Sequence, residues 1–192
     1  MRIGIIDSGK GGLAVARRIQ QEQDQLILIL DQGFFPYGTK SKEFLIKRAY
    51  YLTDLLVRRG VELIILACNT LSVVAYPFLK NSFKIKIIGI FDYFVPYMTE
   101  KYTLIGSTTT IAYAKAKYPV QVIDGTEFIE AIEKKKNIDS FLDSLKQINT
   151  KGLLLGCTHF LSIKEASFPI PVHSQIQMIE EEIKRARKGS SS

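Results

Sequence analysis

The sequence predicts an α/β protein made of two pseudosymmetric three-layer halves, each around a largely parallel sheet, with a cleft between them. Three observations lead there. Short branched apolar runs recur along the chain, and runs of that kind suit strands buried on both faces. Amphipathic stretches separate them, and strands alternating with helices form parallel sheets. The pattern is also doubled. An apolar run, a small polar loop and a helical stretch open at Asp7-Ser8 and again at Gly106-Ser107, and a later apolar run in each half ends at a cysteine, Cys68 or Cys157.

The first run, Arg2–Ile6, stops at Asp7, too soon for the apolar core of a secretion leader. The next are Leu26–Leu30 and Val61–Ala67, with a helical pattern over Glu43–Arg59 between them. There Leu45, Ala49, Leu52, Leu55 and Leu56 recur at steps of three and four, with charged residues mostly opposite. The later runs are Ile85–Ile90, Tyr102–Gly106, Val120–Ile123 and Gly152–Gly156. A last helix over Gln175–Lys188 is expected to cross back to the first half. The expected units are therefore residues 1–91 with 174–192, and residues 92–173. The terminal Gly-Ser-Ser-Ser is low in complexity and is left without a fold.

Composition narrows the function. Of the 192 residues 46% are hydrophobic, enough for a globular core, and the formal net charge is +7. Much of the excess sits in Lys134–Lys136 and Lys184–Lys188, which read as solvated helix faces, so nucleic-acid binding is not the expected main role. No run approaches the ~18 apolar residues of a membrane span. With two cysteines and no leader, the expected setting is a reducing cytoplasm without disulfides. No metal is expected, because there is no C-x-x-C and only His159 and His173 keep the cysteines company.

Two motifs carry chemistry. Gly9, Gly11 and Ala14 fit a dinucleotide-binding pattern after the first strand, with Asp31 ending the next. Asp7 weakens that reading, since a carboxylate there suits an ammonium better than a pyrophosphate. The second motif is the cysteine pair. Cys68 stands before Asn69-Thr70, and Cys157 before Thr158-His159. Each is expected to open a helix whose N-terminus lowers the thiol pKa. A Cys-His hydrolase would use only one of them. Two thiols facing one carbon from opposite sides have another use, which is inversion: one thiolate takes the α-proton and the other thiol returns one to the opposite face. Asp7 would assist Cys68, and His159 would assist Cys157.

The segments "IGIIDSGKGGL", "DQGFFPYGTKS", "ACNTLS", "IGSTTTIAY" and "LGCTHF" together resemble the glutamate racemases of the cofactor-independent aspartate/glutamate racemase family. They follow the family's order from Ile3 to Phe160. The resemblance implies interconversion of L- and D-glutamate, supplying D-glutamate for peptidoglycan, with no cofactor. It carries catalytic roles to Cys68 and Cys157 as the two proton donor/acceptors, beside which Asp7 and His159 are the expected catalytic helpers. It carries substrate contacts to Asp7, Ser8, Tyr37, Gly38, Asn69 and Thr70, and to Ser107, Thr110, Thr158 and His159. The acidic residue expected near the second cysteine aligns loosely with Asp124. The chain departs from the family in being short, in "GIFDYFVP" at 89–96, in Phe160-Leu161 where a proline is usual, and in "VHSQ" at 172–175. An aspartate racemase, or a racemase-like binding or regulatory module with little activity, stands as the alternative. The expected partner is the small-molecule substrate, with no membrane; a homodimer is left open.

Overall fold

The computed structural model describes residues 1–189; the three terminal serines lie outside the described residues. In the first half, β1 (Arg2–Asp7), α1 (Gly11–Ile19), β2 (Gln25–Leu30), α2 (Lys42–Arg58), β3 (Leu63–Leu66), α3 (Asn69–Ser82) and β4 (Lys86–Gly89) follow in order. The second half contains β5 (Tyr102–Gly106), α4 (Thr108–Lys117), β6 (Gln121–Asp124), α5 (Thr126–Glu133), α6 (Asp139–Ser144), β7 (Gly152–Gly156) and β8 (Val172–His173). A last helix, α7 (Ile176–Gly189), ends the described chain. The two four-stranded sheets run β2-β1-β3-β4 and β6-β5-β7-β8. Every pairing is parallel. The connectivity of one sheet thus repeats in the other, strand for strand.

Both faces of each sheet are covered at its centre, which is why the central strands β1, β3, β5 and β7 are largely apolar. On the first sheet Ile64 and Leu66 face Leu45, Leu52 and Leu56 of α2 and Leu71 and Leu79 of α3. Leu63 and Ile65 face the other way, toward Val15 and Ile19 of α1 and Ile176, Ile179 and Ile183 of α7. On the second sheet Leu104 and Leu154 meet Phe91, Phe94 and Met98. Ile105, Leu153 and Leu155 meet Ile129, Phe141 and Phe160. The α7 helix therefore does return to the first sheet, where Arg187 also pairs with Asp24.

The apolar spacing places α2 within one residue at each end. Its start is fixed by Ser41, whose Oγ accepts the Phe44 N–H at 3.2 Å, the usual work of an N-cap serine. Among the described residues no helix is long and apolar enough to cross a membrane. Ile65 is wholly buried and lies in register between Ile5 and Ile88. Ile65→Ala is expected to cost about 2–5 kcal/mol in denaturant unfolding; a loss under ~1 kcal/mol would mean this layer is loosely packed.

Candidate active site

Both sheets deliver their chemistry at the carboxyl ends of their two central strands, where open α/β sheets hold ligands. Asp7 ends β1, and Cys68 follows β3 and precedes α3. Gly106 ends β5, with Ser107 as the N-cap of α4, and Cys157 follows β7. The tips of the two halves meet. Thr158 Oγ1 donates to Asp7 Oδ2 at 2.9 Å, and Asp7 Oδ1 accepts the Gly9 N–H at 2.9 Å. Asp7 is fully buried. Burial pushes its pKa up, and nearby His159 offsets that in part.

Two groups of side chains gather around this junction. At one thiol, Ser8 Oγ lies 3.7 Å from Cys68 Sγ. At the other, Cys157 Sγ lies 3.4 Å from His159 Nδ1, and His159 Nε2 lies 2.7 Å from Glu133 Oε2. Glu133 also accepts the Lys10 backbone N–H at 3.0 Å and Gln32 Nε2 at 3.2 Å. Burial favours its neutral form, but the Lys10 and His159 bonds hold its pKa below the usual value. A Glu–His–Cys line of this kind fixes the imidazole and gives the thiol a proton partner.

The second group is a cluster of hydroxyls. Thr70 Oγ1 lies 2.7 Å from Ser107 Oγ and 3.3 Å from Thr110 Oγ1, and Ser107 and Thr110 are 3.0 Å apart. Ser107 also touches the loop that carries Gly38, where a Cβ would come within 2.7 Å of the serine Cβ. Thr109 Oγ1 donates to the Gly38 carbonyl at 2.8 Å. Tyr37 is buried beside this loop, yet its hydroxyl donates to Asp31. Arg48 holds the same carboxylate through Nε at 2.8 Å and Nη2 at 2.6 Å. Asn69 accepts from Gln175 Nε2 at 2.8 Å.

Three expectations need correction. Asp124 is not the acid beside the second cysteine. It is exposed and accepts from Thr126 N at 2.9 Å and Thr108 Oγ1 at 2.9 Å, capping its own loop. Glu133 holds that place instead. The segment after Cys157 is not an α-helix but a single 3-10 turn, Thr158–Ser162, because Phe160 turns inward onto Phe141 and the chain then runs extended. Neither thiol has a depressed pKa. Burial, with Asp7 second, pushes Cys68 up to about 11, and the first-turn N–H of Leu71 offsets only part of this. Cys157 keeps some exposed surface, but burial of its thiol raises it well above the ordinary value. At Cys68 the start of α3, and at Cys157 the His159 backbone N–H, are thus outweighed by desolvation.

Sequence reasoning missed Glu133, Gln175 and Arg48. Glu133 sits against Lys134–Lys136, a run that reads as solvent-facing. Among the described residues no three His, Cys, Asp or Glu side chains cluster as a metal site would.

The geometry can be set beside known proteins. No family model matches the chain. A curated glutamate racemase of Limosilactobacillus reuteri is 31% identical, aligned over 97% of this chain and 79% of its own. The crystal structure of glutamate racemase from Thermus thermophilus in complex with β-chloro-D-alanine superposes with a TM-score of 0.80 at 25% identity, covering 99% of this chain and 81% of that one. That of the Francisella tularensis enzyme in complex with D-glutamate gives 0.83 at 24% identity, over 98% and 82%.

Proposed function

We propose that this chain, which belongs to the glutamate racemase family, interconverts L- and D-glutamate by proton transfer at the α-carbon between Cys68 and Cys157. The observation that carries the reading is the matched placement of the two thiols. Each follows the equivalent strand of its sheet, β3 or β7, and each has a polar partner at hand, Ser8 or His159. Asp7, which accepts from the Thr158 hydroxyl beside Cys157 and lies next to Ser8 at Cys68, stands between the two thiol groups.

The chemistry follows from the groups around them. The substrate ammonium would pair with Asp7, a fully buried carboxylate that bridges to Thr158 at the junction of the halves. The α-carboxylate would take the hydroxyls of Thr70, Ser107 and Thr110, in exchange for the bonds these three now make to each other, and the Asn69 Nδ2, which has no partner among the described residues. Those donors are what stabilise charge as it develops on the carboxylate side of the α-carbon. One cysteine removes the α-proton as its thiolate, and the other, still a thiol, supplies a proton to the opposite face. His159, held by Glu133, shuttles the proton at Cys157, and Asp7 does so at Cys68. Ser8, Gly38, Tyr37 and Thr158 shape the pocket wall, with Tyr37 anchored on Asp31 so that the Gly38 main chain faces Ser107. The product D-glutamate would serve peptidoglycan synthesis.

Because both thiols are pushed up, they are protonated near neutrality. The thiolate fraction, and with it kcat/KM, should therefore rise by several-fold per unit between pH 6 and pH 8 in both directions. A flat profile in steady-state assays would mean that thiolate formation does not limit the reaction.

The decisive experiment offers each glutamate enantiomer to the protein in deuterated buffer and follows the α-carbon by NMR and the configuration by chiral chromatography. Deuterium entering the opposite enantiomer is the expected result. No exchange and no inversion from either enantiomer would reject the reading. The same assay with aspartate, expected to be much slower, settles which amino acid the site prefers.

A further inference from the structure

Beside the thiol site, on the outer side of His159, lies a cavity of about 640 Å³ between the two halves. Its walls come from α1 of the first half and from the end of α5 and the Thr158–Ser162 turn of the second. Four cationic side chains line it: Lys10, Arg17 and Arg18 on one side, and Lys135 on the other. Among the described residues Glu133 is its one acidic lining residue, and that carboxylate is already engaged by His159 and Lys10. Arg17, Arg18 and Lys135 are exposed and enter no ion pair among the described residues.

Lys135 is placed there by its backbone. The α5 helix ends with Lys136 N–H on the Ala131 carbonyl at 2.8 Å and Lys135 N–H on the Ile132 carbonyl at 3.0 Å. That arrangement puts the residue after the cap in the left-handed region, where glycine is usual. Lys135 occupies it at φ 54° and is the one non-glycine residue with positive φ among those described. A strained lysine is thus aimed at a cavity already lined by three cations, and strain of this kind gathers at ligand sites.

We propose that this cavity is a second binding site, for a small multivalent oxyanion that ties the two halves together. Guanidinium forks on α1 suit phosphate or carboxylate oxygens bidentately, and Lys135 would meet the same anion from the other half. The volume lies within the range of small-molecule sites. Lys10 would be shared between the anion and Glu133, so occupancy is felt at His159 without contact to either thiol. By bridging the halves the anion holds them closed and slows turnover; this kinetic consequence rests on the racemase reading, whereas the binding does not.

The test is calorimetry on the intact chain with inorganic pyrophosphate and with citrate, in about 0.15 M salt, without and then with saturating D-glutamate. One equivalent should bind with Kd below about 1 mM. Arg17→Glu combined with Lys135→Glu should weaken it by about tenfold or more. Lys84→Glu combined with Lys101→Glu, which alters net charge equally at the opposite ends of the strands, should leave it unchanged. Tighter pyrophosphate assigns the site to phosphate compounds, and tighter citrate to polycarboxylates. Absence of binding, displacement by D-glutamate, or equal weakening in both double variants would overturn the proposal. The measurement without D-glutamate needs no turnover, so its failure is distinct from failure of the racemase reading.

Discussion

Cys68→Ser and Cys157→Ser are each expected to lower racemisation of glutamate by about 10³-fold, with the thermal unfolding midpoint staying near that of the parent protein. The size follows from losing one of two acid/base groups, each of which contributes ~10²–10⁴-fold. Serine keeps the volume and hydrogen bonding close to those of cysteine, so packing is spared, but its hydroxyl ionises far too weakly to replace a thiolate. Initial rates should be measured from L- and from D-glutamate, because a one-base mechanism would spare one variant. Near-normal rates in both directions from either variant would remove that cysteine from the mechanism.

The second large effect comes from a residue with no side chain. Gly11 opens α1 against the second half. A Cβ there would collide with Thr158 Oγ1 and stand 2.8 Å from the backbone nitrogen of His159. Gly11→Ala should therefore push the Thr158-His159 turn away from Asp7 without disturbing either sheet. Displacing catalytic groups by about 1 Å can cost ~10²-fold in rate, and a loss of that order in kcat/KM is expected, with secondary structure by circular dichroism retained. Gly33→Ala is the control, because a Cβ at Gly33 meets nothing within 4 Å. If Gly11→Ala matched that control in rate, close contact between the halves would not be part of catalysis.

Much of the fold is legible in the sequence because its strands are buried on both faces and so read as apolar runs. Tyr102–Gly106 and Gly152–Gly156 have the same bounds in structure as in pattern. The strand that escapes is β8, two residues long and half-buried, with His173 tilted against Tyr97 and edge-on to Tyr102 rather than in an apolar run. In the site, residues that end a central strand or open a helix could be placed from sequence, because strand ends are fixed by the runs before them. Glu133 could not. It reaches His159 only through the packing of α5 against the turn after Cys157, 26 residues away in sequence. The thiol environments were misjudged for a related reason. Sequence marks a helix N-terminus, but how deeply a sulfur is buried depends on how the halves close over it.

The return of α7 to the first sheet has a mechanical meaning. The chain crosses from one sheet to the other at residues 90–97 and back again after β8, before Ile176. We propose that residues 1–91 with 174–189 form one folding unit and that 92–173 are an insert within it; residues 190–192 of the expected first unit lie outside the described residues. A body tethered by one strand can swivel freely, whereas one tethered by two neighbouring strands is held to bending about the line through both. The Asn69–Gln175 bond lies beside the second tether and joins it to the residue next to Cys68. With two such tethers the halves are expected to part by bending rather than by twisting, and the Thr158–Asp7 hydrogen bond is the contact such a bend would open and remake.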